Sequence, residues 1–302
     1  MRKIAFGYSK RCNIKCEHCV AAAAAPDNSK MELAKAKELI VELAGAQVRG
    51  ISFTAGEPLI FFDDIAELVG LCQAHGIYTR VVTNCFWAKT PVLADTCIGQ
   101  LKKNGLSQLR MSYSRWHQKS VPCQNILNAV QSCERNGLDY FISFVTDFSE
   151  QDDACEQYLR DHQLRFFPEP VIYAGRAGSF ARQPISTDYQ ANCCPMNPYL
   201  APNLDMFACC DAGSHFTNTN FFHLGNLKHS TIAELFEKSE TNRLYNHIRT
   251  MGVTDIASFA GFPAREIIQY RKCELCEKLF NSPELLAMLQ QETDAGLNSW
   301  RR

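Results

Sequence analysis

The chain has 302 residues, 46% of them hydrophobic, which is enough to bury one large domain and a smaller one and argues against a disordered or fibrous protein. Its formal net charge of −1 gives no electrostatic reason to expect a nucleic-acid or membrane partner. The sequence contains no apolar signal segment and no apolar run of roughly 18 residues that would span a bilayer. We therefore expect a soluble, cytoplasmic protein.

Fifteen cysteines are the unusual feature of the composition. A secreted disulfide scaffold would explain such a number, but a chain of this length does not need covalent staples. Several of the cysteines are clustered at short spacings, which are more typical of metal sites. We expect reduced thiols in a setting of low oxygen.

The first 180 or so residues repeat a strand followed by a helix. The six strand-like runs are 4–9, 51–56, 78–84, 108–114, 140–147 and 164–172. The helix ends are well marked, since Thr90-Pro91 begins one helix and Gly76, Gly105 and Gly137 follow the ends of three. Six such units predict a parallel α/β sheet, either doubly wound or curled into part of a barrel.

Three cysteines directly follow the first strand, at Cys12, Cys16 and Cys19 in a Cx3Cx2C pattern. Thiolates are soft ligands that hold iron–sulfur clusters. Because a 4Fe-4S cluster has four irons, three cysteines leave one iron open to another molecule. An open iron indicates catalysis rather than electron transfer alone.

This loop resembles the cluster motif of the radical SAM superfamily, in which an often aromatic residue, here His18, precedes the last cysteine. The resemblance implies a partial (β/α)6 TIM barrel over residues 1–185. It also implies two cofactors, a 4Fe-4S cluster and S-adenosyl-L-methionine (SAM).

The segment Thr54-Ala55-Gly56-Glu57-Pro58, after the second strand, resembles the Gly-Gly-Glu-Pro segment of the same superfamily. The resemblance assigns Gly56 and Glu57 to the methionine ammonium of SAM, with Ala55 in the place of the first glycine. It also makes Thr83, Asn84 and Ser112 candidates for contacts to the SAM ribose or carboxylate. Without the resemblance, these segments are also compatible with ordinary turns at strand ends.

The strand–helix rhythm stops near residue 185, and cysteines return in residues 186–302. Four of them can ligate a second metal centre, namely Cys194, Cys209, Cys273 and Cys276. Four thiolates suit either a second 4Fe-4S cluster or a structural zinc ion. Their spacing resembles the "twitch" auxiliary domain, a shortened relative of SPASM domains in radical SAM enzymes, and this implies an auxiliary 4Fe-4S cluster.

Cys193 and Cys210 remain outside this set. The pair Cys209-Cys210, with segments near Asn84, Ser112 and Cys276, resembles the radical SAM peptide epimerases of the epipeptide type. That resemblance implies a ribosomally made precursor peptide as substrate, Cys210 as the hydrogen donor that produces a D-residue, and flavodoxin or ferredoxin as reductant. It leaves open whether Cys193 or Cys194 ligates, and whether Cys209 or Cys210 donates.

Two other functions remain compatible with the sequence. One is another twitch-type radical SAM enzyme, which either epimerises or dehydrogenates a sugar, cyclitol or aminoglycoside or crosslinks a peptide. The chain begins at the first strand, and from this we expect no N-terminal domain that binds a leader peptide. The other is a non-catalytic metal-binding protein, in which the Glu57 segment would have no task. Cys72, Cys97 and Cys133 lie at helical spacing among apolar residues and are expected in the core.

Overall fold

The computed structural model describes residues 2–23, 29–182, 194–216 and 218–294. The chain divides into two compact units, one formed by Met1–Val171 with Leu200–Asn203 and the other by Ile172–Tyr199 with Leu204–Arg302. The predicted domain boundary between residues 185 and 186 lies outside the described residues. Among the described residues, no helix is long and apolar enough to cross a membrane.

The first unit alternates strands and helices along the chain. Its strands are β1 (Arg2–Gly7), β2 (Val48–Thr54), β3 (Tyr78–Thr83), β4 (Gln108–Tyr113), β5 (Asp139–Thr146) and β6 (Phe166–Pro170). Its helices are α1 (Leu33–Gly45), α2 (Phe62–Ala74), α3 (Pro91–Lys103), α4 (Arg115–Gln118), α5 (Cys123–Arg135) and α6 (Asp153–Asp161). The six strands coincide with the six predicted runs, with ends that differ by a few residues.

The strands from β1 to β6 are hydrogen-bonded in the order of the sequence, and every neighbouring pair is parallel. A doubly wound sheet reverses its strand order at a switch point, whereas a barrel does not. Since right-handed crossovers in one direction place every connecting helix on the same face, the sheet is singly wound. The predicted α/β partial barrel is confirmed.

The helix ends follow the predicted punctuation. The Thr90 side chain accepts a hydrogen bond from the backbone N–H of Leu93, and Pro91 is the first residue of α3. Gly76, Gly105 and Gly137 lie just beyond α2, α3 and α5, each with a positive φ. These caps terminate the helices so that the chain re-enters the sheet at its N-terminal edge.

The sheet of the first unit has one apolar and one mixed face. Residues such as Ile51, Phe53, Val81 and Leu109 are fully buried on the helix-covered face. The opposite face, the barrel interior, carries polar and charged side chains in registered rows. One row contains Ser52, Arg80 and Gln108; the next contains Val82, Arg110 and Phe141; a third contains Ser112, Ser143 and Phe167.

The second unit contains short strands followed by helices. The strands are β7 (Tyr199–Leu200), whose second residue belongs to the first unit, β8 (Asp205–Phe207) and β9 (His223–Asn226), of which β8 and β9 pair antiparallel. The helices are α7 (Ile232–Thr241), α8 (Arg243–Thr250), α9 (Val253–Phe259), α10 (Ala264–Ile267), α11 (Lys272–Phe280) and α12 (Pro283–Asp294). Stacked rings of Phe221, Phe222, Tyr245 and Phe280 pack its interior.

Candidate active site

The cysteine loop after β1 is held by the turn after β2. Cys12 and Cys16 are buried and Cys19 is half-buried. The backbone N–H of Glu57 donates to the carbonyl oxygen of Arg11 at 2.8 Å. Gly56 has a φ of +47°, and a Cβ at this position would lie 2.2 Å from the same oxygen. Only glycine permits this close approach, so the two motifs that lie 40 residues apart form one site.

Ala55 also has a positive φ, of +65°. A residue with a Cβ is strained in this region, by about 1–2 kcal/mol. The family's first glycine would adopt it without strain. The turn therefore keeps its left-handed geometry despite the substitution.

The carboxylate of Glu57 is buried and receives three hydrogen bonds from the protein. Oε1 accepts from the Thr83 hydroxyl at 2.9 Å and from the Leu59 backbone N–H at 3.1 Å. Oε2 accepts from the Asn84 backbone N–H at 2.7 Å. Burial raises the pKa of Glu57 to about 7, although these three donors favour the charged form. Glu57 thus ties the C-terminal end of β2 to that of β3.

Asn84 connects β3 to the cysteine loop. Its side-chain N–H donates to Oδ1 of Asn13 at 2.9 Å, and Asn13 lies between Cys12 and Cys16. The Trp87 indole N–H donates to the Thr83 hydroxyl at 3.0 Å. Thr83 and Asn84, predicted as SAM contacts, thereby hold the loops around the cysteines in place.

His18 lies in an aromatic group. Its ring centre is 4.8 Å from Trp116 and 4.8 Å from His117. The Ser114 hydroxyl lies 2.7 Å from Nδ1 of His117, and burial, with a smaller effect of His18, lowers the pKa of His117 to about 3. The ligand atoms of Cys16, His18 and His117 lie within 4.8 Å of one another. These side chains enclose the last turn of the cysteine loop.

Arg115 binds two buried carboxylates beside this aromatic group. Its guanidinium donates to both oxygens of Asp147, at 2.9 and 2.6 Å, and to Asp152 at 2.5 Å. Asp152 also accepts from the Thr146 hydroxyl at 2.6 Å. The guanidinium carbon lies 3.9 Å from the Trp116 ring centre. Through these ion pairs, Arg115 holds the segment after β4 against the segment after β5.

Ser112, another predicted SAM contact, is half-buried on the interior face of β4, level with Ser143 of β5. It therefore lies in the barrel interior near the C-terminal edge of the sheet. Cys72, Cys97 and Cys133 are buried in α2, α3 and α5 as expected. Burial raises the pKa of Cys72 and Cys133 to about 12 each, so these thiols are inert.

The predicted cysteines of the second unit are near enough to influence one another electrostatically. Besides burial and Asp211, Cys209 and Cys194 raise the pKa of the Cys273 thiol. Besides burial, Cys209, Cys273 and Cys194 raise the pKa of the Cys276 thiol. Both pKa values are raised well above the usual range, first by burial. Burial also raises the pKa of Cys209 to about 12. Buried, clustered thiols of this kind lose their protons when they bind a metal.

Cys209 and Cys210 differ although they are adjacent. The Cys209 sulfur accepts a hydrogen bond from the backbone N–H of Asp211 at 3.4 Å. The Cys210 thiol instead donates to the Asp211 carboxylate at 3.7 Å, and burial followed by this carboxylate raises its pKa far above the usual range. Cys193, the alternative ligand to Cys194, lies outside the described residues.

No spacing in the sequence assigns Asn13, Trp116 or His117 to the surroundings of the cysteine loop. Asn13 lies inside the cysteine motif, where the cysteines are the recognisable signal. His117 follows β4 without a second ligand at a metal-binding spacing, a pattern that is equally compatible with an exposed or structural histidine. Only the folding of the loop after β4 against the cysteine loop shows that His117 contacts His18.

A singly wound partial barrel with three clustered cysteines at the C-terminal end of its first strand fits a protein that holds a metal cluster at the reactive edge of the barrel. Residues 7–113 match the family model of the radical SAM superfamily. This part of the chain is therefore similar to that superfamily. The family implies a 4Fe-4S cluster and SAM, which the three cysteines and the adjoining Gly56 turn fit.

Relatives with known names cover parts of the chain. YydG of Bacillus subtilis (strain 168), named for a role in peptide biosynthesis, is 23% identical over 186 residues, or 60% of this chain and 58% of YydG. GTP 3′,8-cyclase of Chlorobaculum tepidum is 34% identical over 102 residues, or 33% of this chain and 29% of that protein. The matches thus span less than two thirds of these relatives.

One solved structure resembles the fold over most of its length. The crystal structure of BtrN in complex with AdoMet and 2-DOIA superposes with a TM-score of 0.53, covering 82% of this chain and 87% of BtrN. The two sequences are 12% identical. At this identity the likeness describes the fold alone.

Proposed function

We propose that this protein is a radical SAM peptide epimerase, which inverts a Cα centre of a ribosomally made peptide. Cys12, Cys16 and Cys19 would hold the SAM-binding cluster, with His18, Gly56, Glu57, Thr83, Asn84 and Ser112 around the cofactor. Cys194, Cys209, Cys273 and Cys276 would hold a second 4Fe-4S cluster. Cys210 would be the hydrogen donor.

The different environments of Cys209 and Cys210 carry the proposal. A backbone N–H that donates to sulfur stabilises a thiolate, so Cys209 suits a metal ligand. The Cys210 thiol instead uses its S–H hydrogen as a donor to the Asp211 carboxylate. That carboxylate raises the pKa of Cys209 and Cys273 as well, so the direction of the hydrogen bond is what sets Cys210 apart. A protonated thiol next to a ligand is the group that the reaction requires.

We propose iron–sulfur rather than zinc chemistry at the second centre because the cysteine spacing resembles the twitch domain, which accompanies radical SAM barrels. The match of residues 7–113 to the radical SAM family supports this choice. Four thiolates by themselves suit either metal centre.

Cys12, Cys16 and Cys19 would hold the SAM-binding cluster, which, when reduced by flavodoxin or ferredoxin, would supply the chemistry that cleaves SAM to methionine and 5′-deoxyadenosine with removal of the hydrogen atom from Cα. Cys210 then transfers its S–H hydrogen atom to the carbon radical, so that an S–H bond breaks and a C–H bond of opposite configuration forms. The Cys210 thiyl regains one electron from the reductant system and one proton from solvent. The peptide keeps its composition, and the process consumes reductant and SAM.

The similarity to YydG supports a peptide substrate. We propose a cytoplasmic enzyme that uses neither a nucleic acid nor a membrane as partner. A radical SAM dehydrogenase, small-molecule epimerase or peptide crosslinking enzyme is the second candidate, since the barrel by itself is shared by all of them.

The first test is anaerobic reconstitution. We expect about eight irons per chain and formation of 5′-deoxyadenosine when dithionite is added in the presence of SAM. The Cys12→Ala variant should lose the SAM-dependent product and about half of the iron. Four irons without SAM cleavage, or bound zinc, would contradict the two-cluster enzyme.

The second test follows mass in deuterated water, with a candidate peptide encoded beside the gene. An epimerase with an exchangeable thiol adds one deuterium, whereas a dehydrogenase or crosslinking enzyme removes two hydrogens. Cys210→Ala should still release 5′-deoxyadenosine but form no D-residue. Cys133→Ala, which alters a core thiol, is the matched control and should retain activity. Unchanged D-residue formation by the Cys210 variant would exclude its proposed role.

A further inference from the structure

Two arginines project from the middle of the barrel interior. Arg80 of β3 and Arg110 of β4 lie on the face opposite the helices, one row apart in the register. Their guanidinium carbons lie 5.1 and 5.7 Å from the ring centre of Phe141 on β5. Both cations thus meet over one aromatic ring.

The two arginines outnumber the carboxylates that are directly paired with them. Arg110 forms an ion pair with Glu169 and donates to the Ser143 hydroxyl at 2.9 Å. Arg80 donates from Nε to the neutral Gln108 side chain at 2.7 Å. Within 4.0 Å, Glu169 is the only carboxylate that the described residues place against either guanidinium. Asp139, on the far side of Gln108, is paired with Arg165 at 2.6 Å.

This excess charge is costly to the folded protein. Burial, followed by the nearby charge of Arg110, lowers the pKa of Arg80, and the carboxylates of Glu169 and Asp139 offset this only in part. Two like charges in a partly buried site repel each other more strongly than in water, and an anion would relieve the repulsion. Among the described residues, the fold thus places two cations against one directly paired carboxylate.

The position of the group suits a ligand at the reactive end of the barrel. Arg110 reaches forward from its own row to Ser143 and Glu169, which lie closer to the C-terminal edge of the sheet. On the same face, β1 and β2 carry the small residues Ala5, Gly7, Ser52 and Thr54. Side chains of β1 and β2 on this face therefore fill little of the interior beside Arg80, whose register neighbour on β2 is Ser52.

We propose that Arg80 and Arg110 bind a carboxylate of the substrate in the barrel interior. A planar guanidinium matches a carboxylate with two parallel hydrogen bonds, and Phe141 holds both guanidiniums in place. For a peptide substrate this group is an Asp or Glu side chain or the C-terminal carboxylate. That last identification rests on the proposed function, whereas the anion site itself does not.

The experiment measures thermal stability of the cluster-loaded protein with SAM, without reductant, at constant ionic strength. Glutarate is the probe, inorganic phosphate the comparison anion and chloride the reference. At ten times its Kd, glutarate should raise the Tm by about 3–6 °C. Arg80→Gln should remove this shift and, because it relieves the repulsion, should not lower the Tm in chloride.

Two further variants keep the test decisive. Arg165→Gln alters the exposed pair with Asp139 and should retain the glutarate shift of the unaltered protein. Arg80→Lys keeps the charge but not the planar fork, so it should retain only a reduced shift. The absence of a glutarate shift in the unaltered protein, a shift that survives in Arg80→Gln, or a larger shift with phosphate would overturn the proposal.

The outcome is independent of the proposed reaction. Failure of the epimerase proposal appears as missing 5′-deoxyadenosine or missing D-residue in the unaltered protein. Failure of the carboxylate site appears in the Tm without any turnover. Each proposal can thus fail while the other stands.

Discussion

Gly56→Ala is expected to displace the loop that carries the three cysteines. A Cβ at this position would lie 2.2 Å from the carbonyl oxygen of Arg11 and 2.9 Å from the carbonyl carbons of Lys10 and Arg11. A carbon–oxygen contact is ordinarily no closer than about 3.3 Å, so backbone on one side must move by about 1 Å. The side that moves contains Cys12 or the Glu57 turn.

The expected decrease in the free energy of unfolding of Gly56→Ala has two parts. The φ of +47° costs a residue with a Cβ about 1–2 kcal/mol. Forcing a methyl group into packed backbone costs a further 1–3 kcal/mol or so. Gly76→Ala is the matched control, because Gly76 has a φ of +65° but nothing within 4 Å of an added Cβ. The control should lose only the first part, about 1–2 kcal/mol, and Gly56→Ala about 2–5 kcal/mol.

The assay compares urea unfolding of the two variants with their iron content and cluster absorbance after anaerobic reconstitution. Gly76→Ala should bind the same amount of iron as the unaltered protein. Gly56→Ala should be less stable than the control and should assemble fewer SAM-binding clusters. Equal stability of the two variants, with full iron in both, would refute the view that Gly56 positions the cysteine loop.

Three further changes test other parts of the site. Burial raises the pKa of Glu57 to about 7, so between pH 4.5 and 7 the folded protein keeps a proton that the unfolded chain loses. The free energy of unfolding should therefore fall with rising pH in this window, by at most about 3 kcal/mol. Glu57→Gln should abolish this pH dependence in urea unfolding. Arg115→Met leaves Asp147 and Asp152 buried without their cation and should cost about 3–5 kcal/mol, whereas Arg135→Met, at an exposed pair, should cost about 1 kcal/mol or less by the same measurement. Ala55→Gly relieves a φ of +65° and should raise stability by up to about 1 kcal/mol; a decrease would show that the Ala55 methyl group contributes packing.

Local sequence was sufficient for the strands and helix ends of the first unit. Apolar runs of strand length, Thr90-Pro91 and the three helix-ending glycines predict the observed elements because each signal acts within one turn or one strand. The Cx3Cx2C loop is equally local, since one short segment supplies all three thiols. Such features need no knowledge of what packs against them.

Contacts between distant segments were decided only by the tertiary structure. The choice between a doubly wound sheet and a barrel depends on strand order, which strand spacing does not encode. The Glu57 carboxylate, assigned by resemblance to the cofactor, is hydrogen-bonded to Thr83 and Asn84 because parallel strands end at one edge. No spacing in the chain predicts that pairing.

Contacts between distant segments also explain why several residues around the site carry no local sequence signal. His117 and Asn13 became parts of the site when loops from β1, β3 and β4 converged. Arg80 and Arg110 are 30 positions apart and unremarkable as residues, and their shared position over Phe141 follows from strand register. The sequence by itself determined where the clustered thiols and the strands lie along the chain, since each of these features is formed by residues that are close together in the sequence. The tertiary structure alone decided which side chains surround those thiols, because residues far apart in the chain come together only when the parallel strands align in the sheet.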